Sequence, residues 1–184
     1  MEYKKYISAR DLSWKVLLDG GVRALPVRVS SLCRDMGVVV KLYSGGEGED
    51  GESMILSGQP LILASKEKPV QRQRFTAAHE LGHILLGHVG EGKPAHRGPL
   101  PADNPIEREA NVFASRLLAP SCVLWGCGVR SAEDIMELCG ISRQAAELRW
   151  QRLQELRGRE RFLSSPLERR VYEQFEEFIR AHRA

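Results

Sequence analysis

The spacing of apolar and polar residues changes several times along the chain, and each change predicts a new structural element. Apolar residues recur at three- and four-residue steps in three segments, as expected for amphipathic helices: residues 8–19, 70–87 and 105–119. Short runs of β-branched and aliphatic residues between the first two segments predict strands: VVVKLY, SMILSG and PLILAS. A short helix is predicted between Pro26 and Gly37. The pattern therefore predicts an α+β fold, in which a small mixed sheet accompanies a helical cluster.

The remainder of the chain, from about Ser131, has no strand pattern. SAEDIMELCG predicts a short helix ending at Gly140, and ISRQAAELRWQRLQEL predicts a second helix after a tight turn. Two helices joined in this way resemble a helix-turn-helix. A final amphipathic helix is predicted from Pro166 to His182. We therefore expect a main domain over residues 1–122 and a helical extension over residues 123–184 packed on it.

Composition and charge argue against several functional classes. A net charge of +3 is too small to indicate binding to nucleic acid or to a membrane surface. No apolar run approaches the ~18 residues of a membrane span, and the N-terminal residues lack the apolar core of a signal peptide. The four cysteines are scattered without a CxxC pair, so we expect reduced, buried thiols rather than disulfides or a second metal site. We therefore expect a cytoplasmic globular protein.

The segment RFTAAHELGHILLGH contains three of the five histidines in the chain. Within it, His79 and His83 are four residues apart and so share one face of a helix. Two imidazoles spaced in this way can bind one zinc ion, and the Glu80 carboxylate can take a proton from a zinc-activated water. The motif also occurs by chance, but the flanks here are apolar, and polar groups on a buried helix need partners. The segment therefore predicts a zinc site for peptide-bond hydrolysis.

A catalytic zinc ion needs a third protein ligand. The HELGH segment does not supply one, because Val89 stands where a third histidine would follow. The predicted helix IEREANVFASRLLA offers two carboxylates, Glu107 and Glu109. Small residues on the Glu107 side would permit close packing against the HELGH helix, where Gly82 leaves room, so we favour Glu107 and keep Glu109 as the alternative. Asn111, one turn after Glu107, could hydrogen-bond a ligand histidine from behind.

The two segments together resemble the ImmA/IrrE family of zinc metallopeptidases. RQRFTAAHELGHILLGH resembles the family pattern R-F-T-x-A-H-E-x-G-H, and EREANVFASRLLAP resembles the downstream pattern E-x-x-A-N-x-F-A-x-x-L-L-x-P. The resemblance covers about residues 10–122. It implies that the domain expected over residues 1–122 is the metallopeptidase domain. One departure is Ala119, where methionine is usual.

The resemblance implies a cytoplasmic protease with a gluzincin-like site. His79, His83 and Glu107 would bind zinc, and Glu80 would be the general base. Members are commonly paired with a helix-turn-helix repressor of the Xre type, which they cleave to relieve repression, in mobile elements among other settings. The resemblance therefore also implies a protein substrate and a role in transcription regulation.

Several alternatives stay open at this point. His88 and His96 could each donate to the developing oxyanion, or His88 could interact with a helix dipole. A protein that sequesters a repressor without cutting it is a second alternative. A third is DNA binding through residues 131–157, with four arginines on phosphates: Arg143, Arg149, Arg152 and Arg157. Residues 131–184 carry ten Arg and ten Asp or Glu, and this balance argues against a nucleic-acid partner.

Overall fold

A computed structural model describes residues 3–44, 50–91 and 104–183 of the chain. Its helices and strands are, in order, α1 (Tyr3–Asp19), α2 (Val29–Asp35), β1 (Val39–Tyr43), β2 (Gly51–Leu56), β3 (Gln59–Ser65), α3 (Val70–Leu85), α4 (Pro105–Leu118), α5 (Ser121–Gly126), α6 (Ala132–Cys139), α7 (Arg143–Gly158), α8 (Pro166–Gln174) and α9 (Glu176–Ala181). This arrangement confirms the predicted α+β fold with a small mixed sheet and a helical C-terminal extension.

The sheet has the strand order β1-β3-β2, in which β1 is parallel and β2 antiparallel to β3. A Ser57-Gly58 turn joins β2 to β3, and both residues have the positive φ that a two-residue type I′ turn requires (52° and 75°). The antiparallel register sets Ser53 opposite Ile62. Because opposite residues share one face of a sheet, these two buried side chains lie on the same side, and β2 and β3 both contact α3.

The chain divides by packing into two compact units. The first unit comprises residues 1–10 and 28–114 and contains the sheet, α2, α3 and most of α4. Its fully buried side chains include Ile62, Leu81 and Phe113. The second unit comprises residues 11–27 and 115–184 and is helical in the described residues. The predicted boundary after residue 122 stays a prediction about domain organisation.

Gly87 follows the C-cap of α3 and ends the helix. Gly87 has φ +76°, and its N–H donates to the Ile84 carbonyl at 3.2 Å. The N–H of His88 reaches back to the His83 carbonyl at 2.9 Å. These two bonds are the pair that defines a Schellman C-cap. The chain therefore reverses after α3 and returns His88 to the turn of helix that contains His83.

In the second unit, α6 and α7 form the predicted helix–turn–helix. α6 begins with a capping box between Ser131 and Asp134 and ends at the left-handed Gly140, and the Ser142 hydroxyl caps α7. The prediction of one helix over residues 166–182 is wrong, because Phe175 departs from helical geometry at φ −94° and ψ 7° and separates α8 from α9. Among the described residues, no helix is both long and apolar enough to cross a membrane.

Candidate metal centre

Three side chains from α3 and α4 meet with their metal-binding atoms facing one another. The Nε2 atoms of His79 and His83 are 2.9 Å apart. Glu107 completes the group, with Oε2 at 3.2 Å from His79 Nε2 and Oε1 at 3.2 Å from His83 Nε2. His83 is fully buried, whereas His79 and Glu107 retain 13% and 15% of their side-chain exposure. The cluster is therefore reachable from solvent on the side of His79 and Glu107.

Each histidine of the cluster has a partner at its second ring nitrogen. His79 Nδ1 lies 3.1 Å from Asn111 Oδ1, one helical turn after Glu107 on α4. His83 Nδ1 lies 3.0 Å from His88 Nδ1. Metal-binding histidines usually have such partners, which hold the ring and the tautomer. The structure thus places Asn111 and His88 behind the two imidazoles.

The predicted general base, Glu80, is buried beside this cluster on α3. Ser53 of β2 donates its hydroxyl proton to Glu80 Oε2 at 2.6 Å. Ser53 is not among the residues predicted from the sequence, because only the pairing of β2 with β3 and the packing of α3 on the sheet bring it to Glu80. No local motif signals such a contact between residues 27 positions apart.

The two carboxylates that the sequence left as alternatives have different partners. Glu107 faces His79 and His83, as described above. Glu109 instead lies 3.6 Å from His88 Nε2 and 3.3 Å from Lys5 Nζ of α1. Burial lowers the pKa of His88, and the neighbouring Glu109 carboxylate opposes this shift only in part. Glu109 therefore contacts a histidine behind the cluster, and it is not brought into the cluster itself.

The remaining predicted residues are His96 and the four cysteines. His96 lies outside the described residues. All four cysteines are buried and free, as expected for reduced thiols. Within the described part of the chain, His79, His83 and Glu107 are the one group of three such side chains spaced to hold a metal ion, their ligand atoms all lying within 4.8 Å of one another.

The donor set and its spacing fit a metal ion. Ligand atoms held about 2.0–2.1 Å from a tetrahedral zinc ion lie about 3.3 Å from one another. Here the two imidazole nitrogens are 2.9 Å apart, and each lies 3.2 Å from a different oxygen of the Glu107 carboxylate. Two imidazole nitrogens and one carboxylate oxygen are the donors of many catalytic zinc sites. The cluster thus fits zinc in both chemistry and spacing.

Packing between α3 and α4 depends on Gly82. A Cβ atom at this position would lie 2.9 Å from Cδ1 of Phe113, which is fully buried on α4. Carbon atoms prefer contacts of about 3.5–4.0 Å, so only glycine permits this approach. α4 begins one residue after Asn104, whose side chain accepts from the Ile106 N–H at 3.0 Å. The cap sets where α4 begins, and the close approach of Phe113 to Gly82 sets how near α4, and with it Glu107, lies to α3.

Comparison with known proteins agrees with this geometry. Residues 33–151 match the family model described as the IrrE N-terminal-like domain (Peptidase_M78). The matched span is well over half of the chain and includes α3, α4 and every residue of the cluster. A comparison with curated proteins gives no significant match. The chain therefore belongs to the IrrE N-terminal-like domain family of peptidases, as its resemblance to the ImmA/IrrE family predicted, and its function is of the metallopeptidase type.

Proposed function

We propose that the protein is a zinc-dependent endopeptidase. The observation that carries the proposal is the cluster of His79, His83 and Glu107, in which the donor atoms face one another within 4.8 Å. Glu80 is adjacent to His79 in sequence and is the carboxylate that the motif provides for acid–base work. Family membership supports the same class of chemistry.

The residues of the site have distinct tasks under this proposal. His79, His83 and Glu107 would hold the zinc ion, which supplies Lewis acidity that polarises a carbonyl and lowers the pKa of water towards about 7. Glu80 takes the proton from the attacking water and passes it to the leaving amine. Ser53 holds the Glu80 carboxylate by its 2.6 Å hydrogen bond at Oε2. A base must lie within hydrogen-bond reach of its proton, so this bond favours one productive orientation.

We propose a protein substrate, namely a helix-turn-helix repressor of the Xre type in the cytoplasm. The resemblance to the ImmA/IrrE family supports this choice, and cleavage of such a repressor would relieve repression. The order of events would be binding of the repressor, hydrolysis of one peptide bond and loss of DNA binding by the cut repressor.

The DNA-binding alternative finds no support in the second unit. The four arginines proposed to contact phosphates are all engaged within that unit: Arg143 with Glu133, Arg149 with the Ala119 carbonyl and Ser121, Arg152 with Glu155, and Arg157 with the Val129 carbonyl and the Trp150 ring. Arg149 is also buried. A helix that reads DNA needs basic side chains free to meet phosphates, so these contacts favour a packing role for α7.

The experiment that tests the proposal is a cleavage assay. The purified protein, loaded with one equivalent of zinc, is mixed with the repressor encoded beside its gene, and the products are read by mass spectrometry. Glu80→Gln runs as the inactive variant, and Glu147→Gln, an exposed position on α7, serves as the matched control.

We expect one defined cut with the wild type and the control, and none with Glu80→Gln. Cleavage by Glu80→Gln at the wild-type rate would contradict the assigned base. A stable complex without cleavage in every lane would replace the proposal by sequestration of the repressor.

A further inference from the structure

A row of polar side chains begins at Nδ1 of His83, the ring nitrogen that does not face the cluster. The proposed hydrolysis does not use these side chains directly. His83 Nδ1 lies 3.0 Å from His88 Nδ1. The other nitrogen of His88, Nε2, lies 3.6 Å from Glu109 Oε2. Glu109 Oε1 in turn lies 3.3 Å from Lys5 Nζ. We name His88, Glu109 and Lys5 the rear relay.

The fold fixes the first member of the rear relay through the backbone. The Schellman cap at Gly87 bonds the His88 N–H to the His83 carbonyl at 2.9 Å. His88 is therefore joined to the same residue by its main chain and by its ring, and its side chain is only 9% exposed. Glu109, at 10% side-chain exposure, comes from α4, two residues after the proposed ligand Glu107. Glu109 thus lies on the helix that carries one proposed ligand, and His88 lies just after the C-cap of the helix that carries the other two.

The hydrogen-bond chemistry of this row allows one consistent set of tautomers. His83 Nε2 must present a lone pair to bind a metal, so its proton lies on Nδ1. His83 Nδ1–H then donates to His88 Nδ1, which must be the acceptor. The His88 proton therefore lies on Nε2 and points towards the Glu109 carboxylate. If the Glu109 carboxylate were absent, His88 would lose the group that favours a proton on Nε2, and its Nδ1 could carry the proton instead.

We propose that His88 and Glu109 are positioning residues that hold His83 in its metal-binding tautomer and thereby set the affinity for zinc. The inference rests on the proposed function, since it assumes that His83 is a metal ligand. Loss of such an outer partner typically weakens metal binding about 10- to 100-fold. Lys5 has 50% side-chain exposure, so we expect its loss to change zinc affinity less than about threefold.

The test measures zinc affinity by competition with a chromophoric chelator, with no substrate present. We expect His88→Leu to weaken zinc binding about 10- to 100-fold. His88→Asn should recover most of the loss, because the Asn amide oxygen can accept in place of Nδ1. His182→Leu, which removes an exposed histidine of the second unit, is the matched control and should bind zinc as the wild type does. Glu109→Gln should fall between the wild type and His88→Leu.

A second readout gives its main result on the wild type, so that result does not depend on a variant that could misfold. Long-range proton–nitrogen NMR spectra of the zinc-free wild type report which nitrogen of His83 carries the proton. We expect the proton on Nδ1 in the wild type, and a mixture of tautomers in His88→Leu. Equal zinc affinity in His88→Leu and wild type, or a proton on Nε2 of His83, would overturn the positioning role of His88 and Glu109. Either result would leave the proposed function standing. A wild-type protein that binds no zinc would instead overturn the proposed function.

Discussion

The close contact between α3 and α4 makes Gly82 a decisive position for their packing. A Cβ added there would lie 2.9 Å from Phe113 Cδ1 and 3.3 Å from both Cβ and Cγ of the same residue. The shortest contact is about 0.6 Å under the lower end of the preferred carbon–carbon range. Phe113 is fully buried, so its ring has no solvent-filled space into which it can move. Gly82→Ala therefore forces α3 and α4 apart or distorts the Phe113 rotamer.

Two opposing effects set the change in the free energy of unfolding that Gly82→Ala causes. Overpacking of a well-packed core costs about 1–3 kcal/mol. Replacement of a helical glycine by alanine gains up to about 1 kcal/mol in helix propensity. We therefore expect Gly82→Ala to lower the free energy of unfolding by about 1 kcal/mol, which corresponds to a decrease in Tm of about 2–4 °C for a chain of this size. Zinc affinity should fall as well, because α4 carries Glu107 as well as Phe113.

The assay is thermal unfolding of zinc-free protein followed by circular dichroism, with zinc affinity from chelator competition. Gly158→Ala is the matched control, since Gly158 is also helical and a Cβ there would meet nothing within 4 Å. The control should be as stable as the wild type or slightly more stable. If Gly82→Ala were as stable as Gly158→Ala and bound zinc equally well, the approach of α4 to α3 would not require glycine at position 82.

Three further predictions concern the base, the third ligand and a peripheral ion pair. Ser53→Ala removes the 2.6 Å hydrogen bond to Glu80, so we expect kcat to fall by about tenfold or more while zinc affinity is unchanged; an unaltered kcat would show that Ser53 does not position the base. Glu107→Gln should abolish the rise in Tm that saturating zinc gives the wild type, a rise worth about 2.7 kcal/mol at a zinc concentration 100 times the Kd; a full rise in the variant would exclude Glu107 as a ligand. Burial would raise the pKa of Asp50, but hydrogen bonds and charge from Arg72 lower it overall. The Asp50 carboxylate therefore contributes stability above its unfolded pKa, and this contribution is lost as the pH falls through the lower folded pKa. Asp50→Asn should therefore reduce stability at pH 7 but not at pH 2, and an equal loss at both pH values in chemical denaturation would contradict the ion pair.

The sequence predicted those parts of the site that are encoded within one helix. His79 and His83 share a face because they are four residues apart, whatever the rest of the fold does. The small residues beside Glu107 pointed to close packing of α4, and Gly82 pointed to the room that this packing needs. The structure contains that contact, between Gly82 and Phe113. Local periodicity was sufficient because both helices have strong, uninterrupted patterns.

Contacts made across the fold could not be predicted in the same way. Ser53 meets Glu80 only because of the strand register and the packing of α3 on the sheet, neither of which leaves a local signal. The position of Glu109 depends on the rotation of α4 about its own axis. The sequence left this rotation open, and with it the choice between Glu107 and Glu109. His88 had a usable signal, since a glycine directly after a helix predicts a Schellman cap that returns the next residue to the final turn. Phe175 gave no comparable warning of the break between α8 and α9.

We propose that this cluster hydrolyses peptide bonds with zinc, and one measurement tests that hydrolysis directly. A peptide library in heavy-oxygen water is incubated with zinc-free protein, and then with protein reloaded with one equivalent of zinc. Mass spectrometry reads both the cleavage sites and the oxygen in each new carboxyl terminus. We expect cleavage with one heavy oxygen per cut, present only after zinc is restored and absent in Glu80→Gln that binds zinc normally. Cleavage that persists without zinc would contradict zinc-dependent hydrolysis, and cleavage that Glu80→Gln retains would contradict Glu80 as the base.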